Sequence, residues 1–352
     1  MTKDWDTIVI GGGQAGLASG YHLQKKGLQF LILEADKEAS GSWSKYYESL
    51  KLFSPARFSS LPGMNFPGNH NDYPSRNEVI KYLKDYIEHF KLPVMRKQQI
   101  VSVEKNDKVF TVHTSTGEKY YTKTIINATG SFQSPYTPLL KGHEIFKGRI
   151  IHSSEYRKPD TFINQRNVVV GRGNSAVQIA IELAEVSMTT LAVRQPVHLI
   201  KQRVLGQDIH FWLKVIGFDR FPFWRFGKTA PSSSSVIDLG QYSERLAQKK
   251  PDQQSMFTSF YTDGVIWSDG SKEAVDNVIF ATGYQNNLAH LNELGATDSK
   301  GQPLHIGGIS TTVQGLYYVG LEGQRSVSSA TLRGVGPDAQ YVIRKLVRYL
   351  NS

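Results

Sequence analysis

The segment Asp6 to Glu34, DTIVIGGGQAGLASGYHLQKKGLQFLILE, constrains this chain more than any other. Thr7 to Ile10 is a short apolar run, Gly11-x-Gly13-x-x-Gly16 then opens a stretch of helical character, and a second apolar run, Phe30 to Leu33, ends on Glu34. Strand, glycine turn, helix, strand and acid in that order make a βαβ unit shaped to hold a dinucleotide. Gly11 permits the tight turn, Gly13 lets the backbone approach a pyrophosphate, and Gly16 lets the helix pack closely on the strand. The helix N-terminus offers free N–H groups and partial positive charge to phosphates. Glu34, 18 residues past Gly16, can accept hydrogen bonds from the ribose hydroxyls of an adenine nucleotide.

The pattern recurs. Asn167 to Val170 reads as a strand, Gly171-Arg172-Gly173-Asn174-Ser175-Ala176 as a second glycine turn, Val177 to Val186 as an apolar helix and Thr190 to Val193 as the next strand. Ala176 replaces the third glycine, a permitted variant at the packing position. Arg194, not an acid, closes this unit. A carboxylate there would repel a 2′-phosphate, whereas a guanidinium can bind one bidentately. The first turn therefore suits an unphosphorylated adenosine, as in FAD, and the second suits NADPH, with NADH not excluded.

Around these units the chain reads as α/β. Gly41 to Gly63 is a long irregular excursion rich in aromatics, Ser and Pro, and loops of that length are often functional. Arg76 to Phe90 carries apolar residues at helical spacing, and residues 93–127 read as strands separated by polar turns. Two strands end alike, in Asn127-Ala128-Thr129-Gly130 and in Ala281-Thr282-Gly283-Tyr284. Ile209 to Phe226, dense in Phe and Trp among basic residues, fits a substrate entrance, a membrane-surface segment or a cover for the core. Ser232 to Ser235 reads as a loop. Leu316 to Val319 is a strand closed by Gly320, Ser328 to Gly336 a small-residue loop, and Pro337 to Leu350 an amphipathic helix that completes the first sheet. The expectation is two Rossmann-like dinucleotide-binding domains, the NADPH domain inserted into the FAD domain: 1–157 and 285–352 for FAD, 158–284 for NADPH.

Composition narrows the chemistry. Among 352 residues there is no cysteine, which removes a disulfide, a thiolate metal site and a C-x-x-C redox pair, so redox work falls to a cofactor. The net charge of +10 is scattered rather than blocked, which argues against nucleic-acid binding and for a solvated basic surface. No uncharged run is long enough for a transmembrane helix, and the N-terminus runs almost directly into the first strand, leaving no room for a signal peptide. A cytoplasmic location is expected, and a homodimer is compatible with the sequence. No metal cluster is expected.

Phe146-x-Gly148-xxx-His152-xxx-Tyr156, standing before the second glycine turn, resembles the fingerprint of class B flavin-dependent monooxygenases. The likeness covers nearly the whole chain, including Gly41 to Trp43, Tyr73-Pro74-Ser75-Arg76 and Phe280 to Tyr284, and looks closest to short bacterial flavin-containing monooxygenase-like proteins associated with cation efflux or arsenic resistance. The resemblance implies reduction of FAD by NADPH, reaction with O₂ at flavin C4a, and oxygenation of small soft nucleophiles (S or N) or ketones by the resulting C4a-(hydro)peroxyflavin. It places Gly11, Gly13, Gln14, Ala15, Gly16, Glu34, Trp43, Val101, Ala128, Thr129, Gly130 and Gly320 at FAD. Gly171, Gly173, Asn174, Ser175 and Arg194 go to NADPH, and Ala281, Thr282 and Gly283 to the cofactor-side strand end. His152 and Tyr156 are the candidate catalytic positions, with domain movement or retention of NADP⁺ as their family role and a purely structural role open for His152.

One position departs from the pattern. Longer relatives carry an asparagine near flavin C4a in a turn that corresponds to Ser54-Pro55 here. Its absence keeps a second reading open: an NADPH oxidase or flavin reductase that passes electrons to O₂, a quinone or a metal species. A non-catalytic redox sensor is the third.

Overall fold

A computed structural model describes residues 4–227, 230 and 235–352. The Ser232 to Ser234 part of the expected loop lies outside them. The first unit begins with β1 (Trp5–Ile10), α1 (Gln14–Lys25) and β2 (Phe30–Leu33). After the irregular excursion come α2 (Arg76–Phe90), β3 (Val94–Met95) and an antiparallel ribbon of β4 (Ile100–Asn106), β5 (Val109–Thr114) and β6 (Lys119–Asn127). The parallel part of the sheet runs Leu316–Tyr318, β6, β1, β2, β3. The first sheet thus takes its strands from both sides of the inserted unit.

Strands buried on both faces divide their side chains with period two. Val9 and Ile32 face the core shared with α1, α2 and the closing helix, while Ile8, Ile10, Leu31 and Leu33 face the core under the ribbon. Ser75 starts α2 with a reciprocal capping box to Glu78.

The second sheet has five parallel strands in the order Asp252–Ser255, Met188–Val193, Arg166–Val170, Asn277–Phe280, Arg149–His152, with α3 (Asn174–Ala184) packed on one face. Val169, Leu191 and Ile279 point to the α3 side, and Val168, Ala192 and Phe280 to the other. Arg149–His152 pairs with Asn277–Phe280, so this strand belongs to the second sheet although it precedes residue 157.

The two-unit α/β architecture with an inserted second unit is the expected one. The closing helix differs: it spans Leu332–Leu350, and Pro337 lies inside it rather than in its first turn. Gly334 and Gly336, read as loop residues, are small because neighbours press on the helix. A β-carbon on Gly334 would collide with the Ser328 carbonyl oxygen, and one on Gly336 would stand 3.1 Å from Pro62 Cδ.

Candidate functional site

At the first glycine turn the backbone leaves no room for side chains. Gly11 has φ +105°, and a β-carbon there would lie 2.7 Å from the Ala128 carbonyl oxygen; one on Gly16 would collide with the Gly11 carbonyl oxygen. Gly320 presses on the first turn of α1, where its β-carbon would meet Ala15 Cβ at 2.6 Å. Ala128 therefore closes on the glycine turn, and Gly320 on the start of α1, from two other strands. Gly41 completes the cradle: it has φ +56°, and its β-carbon would stand 2.9 Å from Gly13 Cα.

The start of α1 has no side-chain cap and no acid in its first turn, in contrast to α2. Its N–H groups and partial positive charge are left for an anion, as a pyrophosphate requires. Glu34, 6% exposed, accepts from the Gly12 N–H at Oε2 (2.6 Å) and from the Asp36 N–H at Oε1 (2.9 Å). Burial raises its pKa, and these two hydrogen bonds oppose the rise. Each oxygen keeps a lone pair for a hydroxyl donor. The residues fit an adenine dinucleotide.

Gln14 links this turn to two other segments: its Nε2 donates to the Ala330 carbonyl oxygen (2.5 Å) and its Oε1 accepts from Trp43 Nε1 (3.1 Å). Thr129 Oγ1 accepts from Asn127 Nδ2 (3.1 Å), and Gly130 has φ +77°. Val101, half exposed, stands on β4 where the ribbon register shifts, three residues after Gln98, whose N–H donates to the Glu34 carbonyl oxygen (2.8 Å).

The second turn repeats the geometry. Gly171 has φ +141°, and its β-carbon would stand 2.5 Å from the Ala281 carbonyl oxygen. Asn174 and Ser175 open α3, which like α1 has no side-chain cap and no acid in its first turn. Space beside Gly173 is open to 4 Å. Arg194 follows strand Met188–Val193, exposed, with no hydrogen-bond or ion-pair partner among the described residues. It is free to meet a phosphate.

The four fingerprint residues form a frame around this unit. Phe146 packs on Phe260 with ring centroids 5.1 Å apart, and a β-carbon on Gly148 would stand 2.7 Å from the Asp276 carbonyl oxygen. His152 Nε2 lies 3.0 Å from the Gly283 carbonyl oxygen, and Nδ1 accepts the Ser154 N–H at 3.1 Å. Burial lowers its pKa, so the ring is held neutral. Tyr156, 1% exposed, donates to Glu182 on α3 (2.7 Å). Both candidate catalytic side chains are thus bonded into the scaffold, His152 to the Gly283 turn and Tyr156 to α3. Thr282 donates to the Tyr136 carbonyl oxygen and Gly283 accepts from the Tyr136 N–H (3.0 Å), which fixes the same turn from the other side.

Other contacts join the two units. Tyr47, from the excursion, donates to Gln178 on α3, and Asp219 pairs with Arg333 at the start of the closing helix (3.1 Å). Sequence reasoning did not single out Tyr47, Gly41 or Asp219 as bridging residues. Only Gly41 had a local signal, its place beside Trp43. The aromatic segment divides: Trp224 packs on Tyr341 (5.4 Å), while Phe218, Phe221 and Phe226 remain exposed. Among the described residues there is no group of side chains that could hold a metal ion and no helix long and apolar enough to cross a membrane.

The model of the pyridine nucleotide-disulphide oxidoreductase family matches residues 8–320. An uncharacterised oxidoreductase of Bacillus subtilis, CzcO, is 34% identical over 343 residues, 97% of this chain and 99% of its own. A probable indole-3-pyruvate monooxygenase of Arabidopsis thaliana, YUCCA1, is 31% identical over 80% of this chain and 76% of its own. The solved flavin-containing monooxygenase from Stenotrophomonas maltophilia superimposes with a TM-score of 0.87 at 30% identity, covering 99% of this chain and 100% of that one. The chain belongs to the pyridine nucleotide-disulphide oxidoreductase family, on its flavin-dependent monooxygenase side, and is an NAD(P)H-dependent flavoprotein enzyme whose cofactors are FAD and NADPH.

Proposed function

We propose that the enzyme uses NADPH and O₂ to oxygenate small soft nucleophiles at S or N, or ketones, by way of a C4a-(hydro)peroxyflavin. The observation that carries this reading is the pair of uncapped glycine turns joined by the fingerprint frame, in a chain without a thiol to relay electrons. Gly11, Gly13, Gln14, Ala15, Gly16, Glu34, Trp43, Ala128 and Gly320 hold FAD; Gly171, Gly173, Asn174, Ser175 and Arg194 hold NADPH. His152 and Tyr156 are positioning residues that keep the Gly283 turn and α3 in place. FAD supplies hydride acceptance and oxygen activation, and the protein supplies placement and exclusion of water.

Strand pairing supports a first domain boundary just before Arg149, earlier than the expected 157. The second boundary follows the Gly283 turn.

One observation favours a second reading. At the turn where longer relatives place an asparagine, the buried Ser54 hydroxyl is engaged with Ser59 Oγ at 2.9 Å. An oxidase that releases H₂O₂ fits a site with no free amide there. Reducing the protein anaerobically with NADPH and mixing it with oxygenated buffer separates the two. A near-ultraviolet band that persists before oxidised flavin returns supports oxygenation. Direct recovery of oxidised flavin with stoichiometric H₂O₂, unaffected by candidate substrates, overturns it.

A further inference from the structure

Between the excursion and the second unit runs a cleft of about 560 Å³, and a smaller one of about 160 Å³ adjoins it, sharing Asn71, Tyr73 and Arg203. Neither contains a residue of the two glycine turns. Pro55 and Ala56 form their inner side, and Ala56 belongs to the same core as Ala15 of α1. Pro55 lies in the turn that the resemblance to flavin-dependent monooxygenases puts near flavin C4a, so the cleft lies against the flavin-binding half.

Its polar lining is unbalanced in how it is already used. Three acids line it, and each has donors of its own. Asp208 accepts from Tyr73 (2.6 Å), from the His210 N–H (2.8 Å) and from His210 Nδ1 (2.7 Å). Glu78 accepts from the Ser75 N–H and hydroxyl, both at 2.7 Å, and Asp72 from Asn69 Nδ2 at 3.2 Å. The three cations differ. Lys51, Arg57 and Arg203 enter no ion pair among the described residues; Arg57 donates to the Gln207 amide oxygen at 3.3 Å and lies over the Phe58 ring, and Arg203 is bonded to the neutral Tyr73 hydroxyl. Beside Arg203, Gln202 Nε2 is buried with no acceptor. A buried donor left unbonded costs free energy that an acceptor on a ligand would recover.

Arg203 is exposed, and the hairpin backbone that carries it is held in place. Arg203 pairs with Asp208 across a two-residue hairpin, and Trp212 Nε1 pins that hairpin by donating to the Val204 carbonyl oxygen (2.9 Å). Phe66, Pro67 and Leu239 give the larger cleft an apolar side.

We propose that this joined cleft is the substrate site and that it selects organic acids: a carboxylate held by Arg203 and Arg57 with the Gln202 amide, and an apolar body against Phe66 and Pro67. This names the substrate class and rests on the oxygenation reading above. A guanidinium pair and an amide donor match the two oxygens of a carboxylate, whereas a neutral ester offers them no charge.

The test compares para-(methylthio)benzoate with its methyl ester on the FAD-loaded enzyme. Binding is read by calorimetry and by flavin fluorescence, and sulfoxide formation is measured separately. The acid is expected to bind about tenfold or more tighter than the ester, and Arg203→Met to remove that preference while Arg203→Lys keeps part of it. FAD content and the unfolding midpoint verify that each variant folds. Equal binding of acid and ester, or an acid affinity unchanged in Arg203→Met and Arg57→Met, overturns the site. Arginine-dependent binding without sulfoxide leaves the site standing and counts against oxygenation, whereas turnover of the ester alone does the reverse.

Discussion

The His152 ring and the Gly283 carbonyl oxygen meet at 3.0 Å, while the Ser154 N–H occupies the other ring nitrogen at 3.1 Å. With both nitrogens engaged and the residue 3% exposed, His152 presents no free ring nitrogen. It holds the turn that closes over the second glycine loop. His152→Ala is expected to raise KM for NADPH and to lower the unfolding midpoint, with the pH profile of kcat unchanged in shape. His152→Gln, which keeps a donor for Gly283, should recover part of the loss. Disappearance of a limb of the pH profile in either variant would instead make His152 an acid or base.

Gly16 tests the first cradle. Its β-carbon would collide with the Gly11 carbonyl oxygen, a backbone atom that cannot rotate away. Gly16→Ala is expected to destabilise the fold by about 3 kcal/mol or more and to yield protein without FAD. The checks are flavin absorbance after purification and denaturant unfolding. Gly117→Ala, at an exposed turn with open space around it but φ +86°, serves as the control: left-handed strain should cost it about 1 kcal/mol, and it should retain the flavin.

Both βαβ units were legible because glycine spacing and the 3.6- and 2-residue periods record backbone geometry directly. The start of the closing helix was not. Gly334 and Gly336 look like loop residues in one dimension, and only the neighbouring Ser328 backbone and Pro62 show why they are small. The strand Arg149–His152 was hidden inside the fingerprint, where each residue also serves a packing or bonding role. The hairpin carrying Arg203 and Asp208 has two-residue strands, too short for any period to register. Tyr47 and Asp219 join distant segments, and no local signal marks such partners.

Acid stability follows from the buried histidines. Burial pushes His22 and His290 down to about 4, and lowers His152 and His305 as well. The unfolded chain then binds protons that the folded chain refuses. The stability these groups allow is complete above the unfolded histidine value of about 6.5 and is lost as pH falls toward 4, at up to about 1.4 kcal/mol per pH unit for each group. Glu34 and Asp338, raised by burial, act with the opposite sign and offset part of it. The unfolding midpoint is expected to fall steadily from pH 6.5 to pH 4. A flat profile across that range would mean these rings are protonated in the folded protein.

The role proposed for Arg194 is to set the preference between the two nicotinamide cofactors. It stands at the end of strand Met188–Val193, where the first unit carries Glu34, exposed and without a partner among the described residues. A charge-assisted hydrogen bond to a 2′-phosphate contributes about 1.5–3 kcal/mol, a factor of about 10 to 100 in affinity. Arg194→Met should raise KM for NADPH by about that factor and leave KM for NADH nearly unchanged. Arg194→Glu should reverse the preference, because a carboxylate repels the phosphate and accepts from the ribose hydroxyls of NADH instead. Steady-state NAD(P)H oxidation with each cofactor reads both effects, and an equal change in the two KM values would place the 2′-phosphate elsewhere, with Arg172 on the adjoining turn as the next residue to replace.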